Sequence, residues 1–595
     1  MPEEPLVIYD GHCGFCRIWI DYSKAITGGR VAYAASQQVG ALHPQIPAEN
    51  FRESVQLVLP GGEVLSGARA VFVALTYAPG MKWPSWAYHH VPGVGPLSEA
   101  AYRLIASHRT FFYHLTRLTI GQCVLPLQFA KVEWLFLRLL GAIYLIAFSS
   151  LAVQIAGLIG VHGILPLGGY LAAVSKTLGM RGYREVPTIF WFAHGDWFLK
   201  AACVAGAAVA IVLLAGILKG FWERLLLACL YVLYLSLDIA GQDFLAFQWD
   251  SLLLETGFLA IFLGNSKFII LLFRWLLFRL MFLSGVVKLT SHDPVWRDWT
   301  ALAYHYMTQP LPTPLAWYVY QLPLAVQRFS TAATLFIELL VPFLFFAPRQ
   351  WRFVAAGAAL FLQTLIFFTG NYTFFNLLTV SLCVFLLDDR ALEKIHLRAR
   401  TARTNAIAVW AGAIVILVLS GSELHQMFFD APFDTENALV RIAGPFQIAN
   451  TYGLFASMTT TRPEIVVQGS NDGVAWLDYQ FRYKAGDLSQ APRWVAPYQP
   501  RLDWQMWFAA LSDYRSTPWF TNFMVRLLQG SPDVVGLLKT NPFPNSPPKY
   551  VRALLLDYSF TNFAQRRATG NWWARKPRGS YFPQISLQDV RVKAD

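Results

Sequence analysis

The chain has 595 residues, of which 55% are hydrophobic, 15% aromatic and only 14% charged. A soluble globular protein carries about 25% charged residues, so this composition excludes an ordinary soluble enzyme and points to an integral membrane protein. The formal net charge of +12 would suggest nucleic acid in a soluble chain. Here, however, Lys and Arg cluster in short loops between apolar segments, which is the pattern of cytoplasmic membrane loops; no nucleic-acid partner is expected.

The N-terminal "MPEEPLVIYD" has neither the basic nor the apolar region of a signal peptide, so the first membrane helix is expected to direct insertion. Residues 1–120 predict a small α/β domain. "PLVIYD" reads as a short buried strand, and "CGFCRIWIDYSKA" has helical spacing. "VQLVLPGGEVLSG" predicts a β-hairpin turning at Pro60-Gly61-Gly62, while "ARAVFVALTY" and "SEAAYRLIASHR" predict helices. A strand, a C-x-x-C pair, a helix, a hairpin and a further helix follow thioredoxin-like order.

Cys13 stands where the strand gives way to the helix, and Cys16 lies one turn later. A thiol at a helix N-terminus meets the positive end of the helix dipole, which favours thiolate. Cys13 is therefore expected to be the nucleophile and Cys16 the resolving thiol. Half of a zinc site is the competing reading, but zinc needs two more Cys or His ligands at similar spacing, and only His12 is adjacent. No metal is expected, and an inactive remnant of a redox motif remains the other alternative. The other four cysteines, Cys123, Cys203, Cys229 and Cys383, are isolated in or beside apolar segments, where a free Cys is usually core filler.

Nine apolar segments follow, at 134–158, 199–218, 225–240, 247–263, 268–289, 327–346, 353–369, 372–387 and 405–422, each read as a transmembrane helix. With the N-terminus cytoplasmic, the inner loops hold ten basic residues: Lys219, Arg224, Lys267, Arg349, Arg352, Arg390, Lys394, Arg398, Arg400 and Arg403. The outer loops hold only Lys176, Arg181, Arg184 and Arg297. This asymmetry puts the head inside, and an odd helix count puts residues 423–595 outside. The expected division is thus 1–120, a thioredoxin-like cytosolic domain; 121–422, a membrane domain; and 423–595, a β-rich extracytoplasmic domain.

Several charges fall inside the apolar segments. Helices at 247–263 and 268–289 are joined so tightly that their depths mirror each other, which places Glu255 level with the stretch between Arg274 and Arg279. An isolated charge at that depth costs about 3 kcal/mol or more, so Glu255 is expected to pair with Arg274 or Arg279. Glu338 is expected to take the other arginine or to be protonated. Lys288, nearer the outer end, is expected beside Asp243 and Asp250.

Outside the bundle, Trp296, Arg297, Tyr304, His305, Tyr306 and Trp317 crowd one loop. They read as an interfacial aromatic belt or a client-binding surface. "TQPLPTPLAW" cannot be a regular helix through its three prolines and is expected as a shaped strip on the outer surface. In the tail, "EIVVQGSNDGVAWLDYQFRYKAG" alternates around a Ser-Asn-Asp-Gly turn, "RLDWQMWFAAL" and "FTNFMVRLLQG" predict short helices, and "KYVRALLLDYSFTN" predicts a strand. No G-x-S-x-G elbow of a hydrolase is present.

Three resemblances bear on function. "YDGHCGFC", with Gly67-Ala68-Arg69-Ala70, Leu97-Ser98-Glu99-Ala100-Ala101-Tyr102 and His108-Arg109, resembles the DCC family of thiol-disulfide oxidoreductases. That resemblance covers about the first 110 residues and implies a thioredoxin-like fold. "HGDWFLK" (194–200), "FQWDSLLLETGFLA" (247–260), residues 274–323, "NTYGLFASMTTTRPEIVVQGSNDGVAW" (450–476) and "YQPRLDWQMWFAAL" (498–511) resemble the lipase maturation factor family. Members of that family in the endoplasmic reticulum assist folding and assembly of secreted lipases. "LSGVVKLTSHDPVW" is distantly similar to the A-G-x-x-K-L-x-x-x-W stretch of vitamin K-dependent carboxylase-like membrane domains, which implies base chemistry with a reduced quinone for Lys288; interfacial snorkelling of this lysine is the plainer alternative.

The expected protein is a polytopic α-helical bundle in a bacterial inner membrane that assists maturation of an exported, lipase-like client. Its expected partners are membrane lipids, that client, and a thiol or disulfide partner for the head. The alternative is a membrane redox or quinone-linked enzyme using Cys13, Cys16 and Lys288, with a bound lipid or quinone as its cofactor.

Overall fold

The computed structural model describes residues 4–121, 127–264, 266–400, 406–429 and 438–592. Cys123 and Arg403 lie outside the described residues. Two compact units emerge: Met1–Gln128 with Ala347–Val354, and Phe129–Phe346 with Ala355–Asp595.

In the first unit, β1 (Leu6–Tyr9) leads through α1 (Gly14–Thr27) to β2 (Ala32–Ala35), and the hairpin β3 (Gln56–Val58) and β4 (Val64–Ser66) follows. The sheet order is β2-β1-β3-β4, with β1 parallel to β2 and antiparallel to β3. Val7, Ile20, Leu57, Leu65 and Ala70 form its core. Helices α2 (Gly67–Leu75), α3 (Val94–Ser107) and α4 (Arg109–Thr119) follow, with a shorter helix at Trp83–His90 between α2 and α3.

Among the described residues, six helices are long and apolar enough to cross a membrane: 130–152, 196–215, 221–244, 267–290, 324–346 and 349–369. The regular α-helices within them are α5 (Ala130–Ala152), α6 (Asp196–Ala215), α7 (Phe221–Gly241), α9 (Lys267–Thr290), α12 (Leu324–Leu339) and α13 (Arg349–Thr369). These six do not confirm the expected count of nine. At 247–263 the helix is α8 (Gln248–Ile261), 14 residues long, or about 21 Å at 1.5 Å per residue, short of the roughly 30 Å hydrocarbon thickness. The segment 372–387 yields α14 (Phe375–Cys383) and one 3₁₀ turn. The segment 405–422 starts in residues outside those described; α15 (Ala406–Phe429) has its apolar stretch at Val409–His425. The apolar runs counted in the sequence include non-helical flanks at Phe247 and at Phe262–Leu263.

Small residues let the long helices approach closely. A Cβ on Gly141 of α5 would come within 2.9 Å of the Leu214 backbone nitrogen of α6. At one end of the bundle, Arg400 joins the starts of α5 and α7: its Nε lies 2.8 Å from Glu223 and its Nη1 3.1 Å from Glu133. Arg138 Nη2 reaches Glu223 as well, at 3.1 Å.

Between α9 and α12 lie a single helical turn at Pro294–Arg297 and two longer helices, α10 (Ala301–Thr308) and α11 (Pro314–Tyr320). The proline strip between them is buried, which corrects its expected place on the surface. Its prolines end the helical pairing of the backbone, and the freed carbonyls need donors. Arg462 supplies them, donating to the carbonyls of Met307 (2.8 Å), Gln309 (2.5 Å) and Pro310 (2.9 Å).

The tail is a sheet with helices on it. Strands β5 (Arg462–Ser470), β6 (Leu477–Asp478), β7 (Tyr550–Phe560) and β8 (Trp573–Ile585) form an antiparallel sheet in the order β6-β5-β7-β8. The two helices read from the sequence are α16 (Arg501–Ala510) and α17 (Pro518–Leu528). Strand β8 lay outside the sequence-based reading.

Candidate functional sites

In the first unit, Cys13 is the N-cap of α1, with extended backbone, and its Sγ accepts the Cys16 amide hydrogen at 3.2 Å. The Cys16 thiol and amide beside it, together with the Arg109 guanidinium, bring the Cys13 thiol down to about 6. The same neighbourhood pushes the Cys16 thiol up, because it shares its proton with Cys13 and is more deeply buried. Two thiols whose affinities for a proton diverge in this way suit nucleophile and resolving roles.

The residues that carried the first resemblance converge on this arrangement. Arg109 lies 3.9 Å from Asp10 and donates to the Glu53 carbonyl at 2.6 Å, which holds it near the dithiol. Glu99 accepts from the Ala68 and Arg69 amides (3.2 and 2.9 Å), closing the N-terminus of α2. Gly67 has φ +66°, and a Cβ there would meet the Glu99 carboxylate at 2.6 Å; both facts favour glycine.

In the second unit, Asp250, Glu255, Arg274, Arg279, Lys288 and Glu338 are buried, whereas Asp243 is exposed. Glu255 pairs with Arg279, one of its two expected partners. The second Glu255 oxygen accepts from Tyr452 Oη at 2.7 Å and from the Asn450 amide at 3.0 Å. Arg279 also donates to the Asn450 carbonyl at 3.0 Å. Arg274 donates instead to the Phe385 carbonyl at 3.0 Å. Glu338 does not take Arg274; it pairs with Lys288 at 2.7 and 3.0 Å. That also corrects the placement of Lys288 beside Asp243 and Asp250: α12 packs against α9 and brings Glu338 to the lysine.

Asp250 belongs to Arg501 of the tail. The guanidinium grips both carboxylate oxygens at 2.9 Å, Tyr234 Oη donates to the same group at 2.5 Å, and both charged side chains are essentially sealed from solvent. Such bidentate geometry is the strongest form of carboxylate recognition. A second internal pair joins Arg462 to Glu464 at 2.7 Å, with Lys484 on the other Glu464 oxygen at 2.8 Å.

The expected client surface divides. Arg297 and Tyr304 are exposed, but Trp296, Tyr306 and Trp317 are buried. Trp296 donates to the Phe455 carbonyl at 2.9 Å and lies under Lys288, 5.3 Å from Nζ. Trp317 packs against Trp572 and Phe563 beneath Arg566. These aromatics fasten the loop to the tail, so they are core and not belt. His305 is partly covered, with Nε2 3.2 Å from Tyr372 Oη. Burial, and secondarily the Lys288 charge, bring its imidazole down to about 3, so the ring is neutral at physiological pH.

Lys288, His305, Tyr306, Tyr372 and Glu338 share the wall of one cavity of about 360 Å³. A second cavity of about 360 Å³, mostly apolar, lies beside Cys16, bounded by Phe15, Trp19, Tyr33 and Tyr102. No cluster of three or more His, Cys, Asp or Glu suited to a metal occurs among the described residues. Sequence reasoning missed Glu133, Arg138, Glu223, Arg400, Arg462 and Arg501. Arg138 lies inside an apolar run and was a usable signal; Glu133 stands just before that run, and the ion-pair partners of Glu223, Arg400 and Arg501 come from distant segments.

Long apolar helices, tied through buried ion pairs to a sheet-bearing tail, on a chain that also carries a dithiol at a helix N-terminus, define an integral membrane protein with a thiol module. The family model for the lipase maturation factor transmembrane domain matches residues 131–394, that for the lipase maturation factor C-terminal domain matches 448–583, and that for DCC1-like thiol-disulfide oxidoreductase matches 7–115. Lipase maturation factor 2 of Gallus gallus is 36% identical over 586 residues, covering 76% of this chain and 81% of the relative. The Homo sapiens protein of that name is 36% identical over 593 residues, covering 77% and 83%. Lipase maturation factor 1 of Bos taurus is 33% identical over 516 residues, covering 76% and 89%. No solved structure matches the chain. The chain belongs to the lipase maturation factor family and carries a DCC1-like thiol-disulfide domain at its N-terminus.

Proposed function

We propose that this protein assists the maturation of exported proteins, lipases among them, and that its N-terminal dithiol exchanges with a separate thiol or disulfide partner. The observation that carries the reading is the family match across both the membrane part and the tail. The quinone-linked enzyme is not favoured: Lys288 has its donors engaged by Glu338 and the Ser284 carbonyl. The test is a deletion strain. Secreted lipase activity should fall at least fivefold while lipase transcript and bulk protein export stay unchanged, and the intact gene should restore it. Unchanged lipase output in the deletion strain would overturn the reading.

The division into 1–120, 121–422 and 423–595 is the functional division we adopt, with the head and the tail on opposite sides of the membrane. Helix ends support it. The end of α5 (Ser150), the end of α7 (Asp238) and the start of α8 (Asp250) all bond to residues beyond 440: Gln499, Gln447 and Arg501. The starts of α5 and α7 instead meet Arg400, at the other end. Alternation through α8 and α14 as short passages then gives nine crossings and an external tail. The bacterial inner membrane read from the sequence has no counterpart among the relatives named, which are vertebrate; what the reading requires is a membrane across which proteins are exported. Compartment reporters placed after residue 120 and at the C-terminus should report opposite sides. Both on one side would refute the nine-crossing topology.

A further inference from the structure

The cavity that holds the Lys288–Glu338 pair opens sideways. Its walls come from α9 (Leu280, Ser284, Lys288), from α12 (Phe329, Ala333, Glu338) and from α13 (Phe361, Leu365). Phe329 and Phe361 are 73% and 58% exposed, and both stand on helices long and apolar enough to span a membrane. The mouth is therefore on the perimeter of the bundle, where lipid chains lie. A cavity of about 360 Å³ is within the usual range for small-molecule sites, roughly 300–1,000 Å³.

The polar end of this cavity has a defined hydrogen-bond polarity. Lys288 Nζ has three protons and three acceptors: the two Glu338 oxygens at 2.7 and 3.0 Å and the Ser284 carbonyl at 3.0 Å. The ion pair is thus neutral overall and saturated on the cation side. His305 is different. Gln309 Nε2 donates to the Thr369 and Tyr306 carbonyls (2.8 and 3.3 Å), which fixes its amide so that Oε1 faces Tyr372. Oε1 only accepts, so the Tyr372 hydroxyl hydrogen goes to it, at 3.0 Å. The Tyr372 oxygen is then the acceptor for His305 Nε2–H at 3.2 Å. That leaves His305 Nδ1 unprotonated, buried, and without a partner. A buried acceptor without a donor is costly.

We infer that this cavity binds a neutral lipid with a free hydroxyl, such as a partial acylglycerol, whose chain enters between Phe329 and Phe361 and whose hydroxyl donates to His305 Nδ1. The neutral ion pair disfavours an anionic head, because among the described residues of the wall the one Lys or Arg is Lys288, which Glu338 neutralises. This inference does not depend on the maturation role.

The full chain, purified in detergent micelles, tests it. A diazirine-bearing monoacylglycerol should label peptides from 324–346 and 355–369 and be competed by unlabelled monoacylglycerol. The analogue with both hydroxyls methylated should compete at least tenfold more weakly. His305→Phe should lower labelling at least threefold, and Ala333→Trp, which fills the mouth, at least fivefold. A matched diazirine fatty acid should label these peptides less than the monoacylglycerol does. Equal competition by the methylated analogue would overturn the inference with the unaltered protein alone, so it stands or falls even if a variant does not fold. Stronger labelling by the fatty acid, or labelling spread evenly over all helices, would also overturn it.

Discussion

Arg501→Met should destabilise the protein by about 3–5 kcal/mol, the typical result of leaving one partner of a buried ion pair uncompensated. Asp250 would keep Tyr234 as its hydrogen-bond donor but lose both charged contacts from Arg501. The same side chain donates to the Phe244 carbonyl at 2.8 Å, so a second acceptor is orphaned. Tail and bundle meet here through more than one residue: Gln499 and the Arg501 amide also bond to Ser150 of α5 and to Gln154 just beyond it. Loss of the pair should therefore loosen the tail as a body. In detergent the variant should melt well below the parent, and a protease should release the tail at concentrations that leave the parent intact. Asp250→Leu combined with Arg501→Met should recover part of the loss, since two apolar groups leave no buried charge. A single variant within about 0.5 kcal/mol of the parent, the ordinary range for a surface change, would show that the pair holds nothing together.

The stretches that carried the family resemblance prove to be the ones that join the tail to the bundle. "FQWD" supplies Asp250 and "LLLETG" supplies Glu255; "NTYG" supplies the Asn450 amide and Tyr452 hydroxyl to Glu255; "YQPRLDW" supplies Arg501. From the sequence, intramembrane acids were legible as needing partners, and tight antiparallel geometry reached Glu255 with Arg279. It failed for Lys288, whose partner Glu338 lies 50 residues away on α12 and shares no hairpin with it. It failed again for Asp250, since no periodicity links residue 250 to residue 501. The aromatic loop misled for a related reason: Trp296 and Trp317 satisfy an interfacial pattern equally well as a buried one, and only the packed tail decides between them. Strand β8 escaped because it is an edge strand, mostly exposed at 574–580 and interrupted by Pro577 and Pro583, so it lacks the alternation that reveals a half-buried strand. The head was the most legible part, because its signals are local: strand, cap residue, helix and hairpin follow one another within 70 residues.

Alkylation of the full chain by iodoacetamide should proceed at Cys13 far ahead of Cys16, with a rate that rises through about pH 6 and levels off above it. The sign follows from the thiolate being the nucleophile: a lowered thiol holds its reactive form at pH values where an ordinary thiol, near about 8.5, is protonated. At pH 6 half of Cys13 is thiolate, against roughly 0.3% of an ordinary thiol. Part of that advantage is lost because a less basic thiolate is a weaker nucleophile, with a Brønsted slope of about 0.4–0.5. The net expectation is a rate about tenfold above an unperturbed cysteine at this pH. Cys16, pushed up by its shared proton and its burial, should remain unlabelled until Cys13 is consumed. Two substitutions separate the causes. Cys16→Ala removes the neighbouring thiol and should raise the Cys13 midpoint most. Arg109→Ala removes the more distant cation and should raise it less, leaving the Cys16 amide contact of 3.2 Å in place. A midpoint near that of a free thiol, with both cysteines labelled at one rate, would mean that the pair is an inactive remnant and that the head serves the protein by its fold alone.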